Sequence, residues 1–234
     1  MRLHRLLFVL AALVAGCTSG KEFTKPDPAS LTLGKTTRTD ILAAYGPPRS
    51  QNLTVIGGAS RSGSRSSTSP TDAEPASGQI VSLFYAYIDR TMRIIAGPGY
   101  ELQRRVRFDF WNDKLIAYTF VSNRGSETNF DERNVAKLQS GRTTKAEVVD
   151  MFGEPVGRAI FPAVRNISDE RFLYFFFRVS QWDGTRKGKH LEIFFDGDGK
   201  VRDYKFGSDF GPVPILPGPP AVPESEPEED LPRS

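Results

Sequence analysis

One cysteine and two histidines are all the thiol and imidazole chemistry that 234 residues offer. Cys17 has no second thiol to pair with, so no disulfide can form within the chain. Beyond His4 the only imidazole is His190. That excludes Cys–His and histidine-rich metal sites, and any Ser–His–acid triad would have to use this one ring. Neither a Gly-x-Ser-x-Gly elbow nor a Gly-x-x-x-x-Gly-Lys phosphate loop occurs. No catalytic residue, cofactor site or metal site is therefore assigned, and the chain reads as non-enzymatic. Long apolar runs are also lacking. Past residue 16 none approaches the roughly 20 residues that a membrane-spanning helix needs.

What stands at the start is an export signal. Arg2 and Arg5 form a basic segment, and an apolar stretch follows from Leu6 to Val14. Leu13, Val14, Ala15, Gly16 and Cys17 resemble the bacterial lipobox, in which the cysteine is diacylated and becomes the mature N-terminus. The resemblance implies lipidation at Cys17. Thr18 after the cysteine, rather than Asp, implies the outer membrane, with the chain facing the periplasm. Removing residues 1–16 leaves 234 − 16 = 218 residues, and Arg2 and Arg5 go with them. The mature balance is 31 − 2 = 29 basic against 28 acidic residues, a net +1. That is no nucleic-acid footprint. The expected partners are a membrane, through the lipid, and a protein. Residues 17–30 read as the lipidated cysteine and a polar tether that reaches roughly 45 Å when extended.

A duplicated stretch organises the remainder. Gly34, Thr36, Thr37, Gly46 and Pro48 recur at the same spacing as Gly141, Thr143, Thr144, Gly153 and Pro155. Thr37 with Asp40, and Thr144 with Glu147, fit capping boxes. Ile41, Leu42 and Tyr45, like Val148, Val149 and Phe152, make one stripe of a short helix, which Gly46 or Gly153 ends. The first repeat spans residues 31–123. Strands are expected at 52–56, 80–88, 106–111 and 115–121, with a Gly/Ser/Pro/Arg-rich disordered insertion at 57–78. The second spans residues 124–209. A helix over residues 131–140 pairs with the one after Gly141, and strands follow at 159–161, 172–179, 191–195 and 201–206. Such a helix pair can be mistaken for a DNA-binding motif, but an exported protein meets no chromosome. Residues 196–200 lack the further ligands of a calcium loop and read as a hairpin turn. Residues 210–234 carry eight prolines and an acidic cluster at 224–230, and read as a disordered tail.

The pattern from Gly141 to Pro155, the aromatic strand Phe172 to Phe175 and the segment Leu191 to Val201 resemble the SmpA/OmlA, or BamE-like, outer-membrane lipoproteins. A weaker copy runs through Gly34 to Pro48, Phe84 to Tyr87 and Val106 to Phe110. The resemblance implies an α+β fold: two tandem repeats, each a short helix pair packed on a three- or four-stranded antiparallel sheet. A tandem of such units is also similar in fold to the β-lactamase inhibitory protein, whose repeats join into one concave face. By resemblance, the expected function is an accessory scaffold in outer-membrane protein assembly or envelope integrity. The alternative is an inhibitor-type or partner-binding lipoprotein that captures another envelope protein on an aromatic sheet face. Residues 172–177 are apolar on both faces of a strand, so one face packs on helices and the other is covered or binds. Tyr85, Tyr87, Trp111, Tyr118 and Tyr174 are the candidates for that face, with Arg104, Arg105, Arg107 and Arg178 nearby.

Overall fold

The computed structural model describes residues 18–56, 78–91, 101–180 and 182–210. The signal peptide, Cys17, the insertion apart from Gly78 and the tail apart from Phe210 lie outside the described residues. In chain order the elements are β1 (Thr18–Ser19), α1 (Arg38–Tyr45), β2 (Ser50–Ile56), β3 (Gly78–Asp89), β4 (Leu102–Trp111), β5 (Lys114–Ser122) and α2 (Gly125–Thr128). They continue with α3 (Lys145–Phe152), β6 (Gly157–Ile160), β7 (Glu170–Val179), β8 (Arg186–Phe195) and β9 (Val201–Ser208). Short 3₁₀ turns occupy Pro28–Ser30 and Glu132–Lys137.

Both copies of the duplicated stretch fold into one local device. Gly34 and Gly141 take φ of 78° and 75°, a left-handed turn that side chains resist. The turn points their amides at the Leu115 and Val201 carbonyls, each at 2.7 Å. Leu115 and Val201 donate back to the Thr36 and Thr143 carbonyls at 2.8 and 2.7 Å. Thr37 and Thr144 then cap α1 and α3, and Asp40 and Glu147 complete the capping boxes. Each cap contributes about 1 kcal/mol. The Tyr85 and Tyr174 hydroxyls donate to the carbonyls of Gly46 and Gly153, each at 2.9 Å. The repeated residues thus do more than define helix ends. They lash each helix to a β-hairpin at one end and to a strand tyrosine at the other.

The expected architecture of helix pairs on small separate sheets is not what forms. All nine described strands belong to one antiparallel sheet in the order β1-β3-β4-β5-β6-β7-β8-β9, with β2 also paired to β3. The edge of β5 would otherwise present unpaired amides and carbonyls, and β6 satisfies them. Small residues make that seam possible. Ala117 faces Ala159 across it, and a side chain on Gly157 would sit 2.7 Å from the Tyr118 carbonyl. The Phe120 amide extends the seam to the Val156 carbonyl at 2.7 Å.

The helix pairs also fail to form. The helix expected over residues 131–140 is a six-residue 3₁₀ turn, Glu132–Lys137. Its apolar residues, Val135 and Leu138, are three apart, which suits a 3₁₀ repeat better than one of 3.6. The Asn134 amide group is drawn off to the Met151 carbonyl at 2.7 Å.

The tether expected over residues 17–30 is packed from Thr18 onward. Thr18 and Ser19 pair with Asp89 and Ile88. The Phe23 ring meets Tyr45 and Phe120 at 6.1 and 6.5 Å, and Leu31 joins the core. Arg104 clamps this arm. It donates to Glu22 and to the Phe23 carbonyl at 3.3 and 3.1 Å, and it pairs bidentately with Glu127 of α2. A partly buried aromatic anchor and a buried guanidinium hold the segment, where composition alone suggests only polarity.

The core lies on one face of the sheet. Leu83, Tyr85, Val106, Phe108, Phe110 and Phe120 pack there under Ile41 of α1. Phe172, Tyr174, Leu191, Ile193 and Phe195 pack in the second half under Val148 and Phe152 of α3. Strand alternation sends the intervening residues to the opposite face, which no helix among the described residues covers.

Candidate recognition face

Four of the five aromatic residues expected on a partner-binding face are core. Tyr85, Tyr87, Tyr118 and Tyr174 are 6%, 6%, 3% and 1% exposed. They share the helix-side register, and burial raises the Tyr118 phenol to about 12. Trp111 does lie on the helix-free side. Its ring meets Phe161 edge-on at 6.3 Å, beside the Ala117, Ala159 and Val164 cluster. Residues 161–164 therefore roof the seam at that end of the sheet. Of the arginines expected nearby, Arg104 is the buried clamp, and Arg178 sits over Phe210 at 5.5 Å on the helix side. Arg105 and Arg107 alone belong to the helix-free face.

That face is built from residues one step out of register with the core. Phe84 carries the Arg107 guanidinium at 5.4 Å, Phe177 carries Arg186 at 3.8 Å, and Phe194 carries Lys205 at 5.7 Å. Cation–aromatic pairs thus recur from β3 to β9. Two of the acids on this face are engaged: Asp109 accepts from Arg107 at 2.7 Å, and Glu192 lies 3.8 Å from Arg171. Arg105 and Arg186 are different, because neither forms an ion pair among the described residues. Burial, and then the nearby charge of Arg105, lower the Arg186 pKa.

Beside Arg186 the face sinks into a hollow of about 280 Å³. Phe175 and Phe177 wall it from β7, His190 stands across from Phe175, and Asp209 marks the rim. Gly188 and Gly207 face the same side from β8 and β9. A side chain on Gly207 would meet the His190 ring at 2.5 Å. Glycines inside strands are unfavourable unless something must approach the backbone closely, and here they keep the hollow open. A larger hollow of about 720 Å³ lies between residues 19–24 and α1, on the side of Tyr45 and Tyr85. It is the gap beneath the N-terminal arm.

Sequence reasoning named Arg105, Arg107 and the two-faced strand 172–177, but did not place Arg186, His190 or the two glycines on a binding face. The signal was present in the register. Odd positions of β7 and even positions of β8 oppose the core face, so Phe175, Phe177, Arg186, Gly188 and His190 had to share one side.

Among the described residues no group of three or more His, Asp or Glu is placed to hold a metal ion. No described helix is long and apolar enough to cross a membrane. No family model, curated protein or solved structure matches this chain.

Proposed function

We propose that this chain is a non-catalytic, lipid-anchored recognition module of the bacterial envelope that holds an extended, acidic segment of another envelope protein on its helix-free sheet face. The observation that carries the reading is Arg186, stacked on Phe177 at 3.8 Å and free of any ion pair among the described residues, beside a glycine-floored, aromatic-walled hollow. Arginine and aromatic rings dominate the energetics of protein interfaces, and a guanidinium group without a carboxylate partner selects one. The non-catalytic part rests on the sequence alone, which holds no nucleophile elbow and no phosphate loop. The anchor rests on residues 13–17, and the role beside outer-membrane assembly rests on the Gly141–Pro155 resemblance.

The test is affinity capture from gently solubilised membranes, comparing wild type with Arg105→Glu/Arg186→Glu, with Lys35→Glu as a control and Cys17→Ala as the unanchored form. Loss of one specific envelope partner in the double variant alone supports the reading. Barrel-assembly proteins among the captured species would fix the accessory role. One soluble partner retained by Cys17→Ala would favour the capture role instead. Equal recovery by wild type and the double variant would refute the recognition face.

A further inference from the structure

We infer that the outer edge of β2 is a pairing surface for a second copy of this chain. Two β2 strands meet antiparallel about a two-fold axis at Leu53 and join two sheets into one. The inference stands apart from the recognition reading and uses none of its residues.

The duplication shows what this edge is for. β2 and β6 are the same strand in the two halves: Ser50 begins one four residues past Gly46, and Gly157 begins the other four residues past Gly153. The Arg49 amide bonds the Phe84 carbonyl at 2.8 Å, and the Val156 amide makes the matching bond to Leu173 at 2.9 Å. Each bond lies one residue before the tyrosine that ties down the helix end, Tyr85 or Tyr174. The outer edge of β6 carries β5 and forms the seam of the molecule. The corresponding edge of β2 carries no strand among the described residues.

That edge is bare in chemistry as well. Phe84 turns its carbonyl toward β2, so Ser50, opposite it, bonds to β3, and Gln51, Leu53 and Val55 aim their amides and carbonyls outward. Leu53 and Val55 are 56% and 66% exposed, and they stand beside Val81 and Gln79 on the helix side of the sheet. Nothing from Ser50 to Ile56 is charged or a proline. Sheet edges are ordinarily guarded by such residues. The opposite edge obeys that rule, since β9 carries Arg202, Asp203 and Lys205.

The same comparison selects the occupant. Residues 57–77 contain no aliphatic side chain larger than Ala and no aromatic ring, so they supply no apolar strand. Residues 211–234 carry eight prolines, each without an amide to donate. Head-to-tail addition would bring β9, which corresponds to β5, against β2. There Asp203 and Lys205 stand where Ala117 and Thr119 make the internal seam, and β2 offers no charge to answer them. A second β2 meets none of these objections. Pairing about Leu53 sets Leu53 against its own copy and Gln51 against Val55, with no charge opposite another and the exposed aliphatic side chains covered. Such an isologous contact closes at two copies.

Sedimentation equilibrium of the Cys17→Ala chain tests it, alongside Leu53→Lys/Val55→Lys and Phe206→Lys on the same background. Phe206 is the exposed aromatic of β9 and reports on the other edge. The inference predicts that the mass doubles as concentration rises, that the two β2 lysines abolish the doubling, and that Phe206→Lys leaves it intact. Amide exchange on the unsubstituted β2 gives a second reading: Gln51, Leu53 and Val55 should exchange more slowly in concentrated than in dilute solution. That reading decides the matter if the lysine variant fails to fold. A single-chain mass at every concentration, with exchange at these three amides independent of concentration, overturns the inference. Masses that climb past two copies and fall with Phe206→Lys also overturn it, since β9 would then be the partner. So does a dimer that a folded Leu53→Lys/Val55→Lys chain retains, because the contact would lie elsewhere.

Discussion

The Arg186 guanidinium lies over the Phe177 ring with Cζ 3.8 Å from the centroid, and no carboxylate pairs with it among the described residues. The stack spends little of the fold's stability. A partly exposed cation–aromatic pair contributes about 0.5–1 kcal/mol. Arg186→Met should therefore unfold within about 1 kcal/mol of wild type while binding an acidic peptide about tenfold more weakly, the effect of losing one charge-assisted contact. Paired urea melts and acidic-peptide titrations check this. A variant that loses stability and binding together would mean that the arginine is structural.

Three tyrosines make opposite predictions from similar burial. Tyr85 and Tyr174 donate to the Gly46 and Gly153 carbonyls at the ends of α1 and α3. The Tyr118 hydroxyl is buried without a partner among the described residues. Tyr85→Phe and Tyr174→Phe should each lose about 1 kcal/mol, whereas Tyr118→Phe should be neutral or stabilising because it removes an unmet polar group. Denaturation midpoints of the three variants decide it, and equal losses at all three positions would contradict the account.

Arg104 is the residue most sensitive to truncation. It joins the N-terminal arm at Glu22 and Phe23 to β4 and to Glu127 on α2, with its side chain 9% exposed. Arg104→Met leaves Glu127 without its partner, and breaking a buried pair this way costs about 3 kcal/mol. The loss should be accompanied by faster amide exchange over residues 18–23. Exchange there that is unchanged would show that Phe23, rather than Arg104, holds the arm.

Acid should loosen the 3₁₀ turn at Glu132–Lys137 before the core fails. Asp131 caps that turn, and its hydrogen bond from Arg133 holds its carboxyl down to about 2. A folded value below the unfolded one, about 3.9, means that unfolding takes up a proton between the two. The contribution is therefore complete above about pH 4 and disappears as pH falls toward 2. Asp131→Asn should flatten that part of the pH–stability curve, read from urea midpoints across the interval. A slope identical to wild type would show that other carboxylates dominate it.

Much of the fold was legible because it is local. Eight strands lie where β-branched and aromatic content places them, and both helices begin at the Thr37 and Thr144 caps because the capping box is a four-residue device. What joins distant segments was not. The seam rests on backbone pairing by the four-residue β6 and on the smallness of Gly157, Ala117 and Ala159, which carry no hydrophobic signal. The arm's docking needs Arg104 to find Glu22 and Glu127, a contact over 82 and 23 residues that no periodicity announces. The binding candidates went astray for a related reason. Aromatic content marks a strand, but the two faces of a strand are told apart only by its register, and Tyr85 and Tyr174 fall on the core side.

The most direct test of the recognition face is photo-crosslinking in living cells, with a photoreactive residue placed in turn at Arg105, His190 and Lys205 on the helix-free face and at Lys35, Arg142 and Lys137 on the helix side. The account predicts one defined protein adduct from the first three positions and none from the last three, with the adduct abolished by Arg186→Glu. Adducts from the helix side alone, or none from the helix-free face in any growth condition, would contradict it.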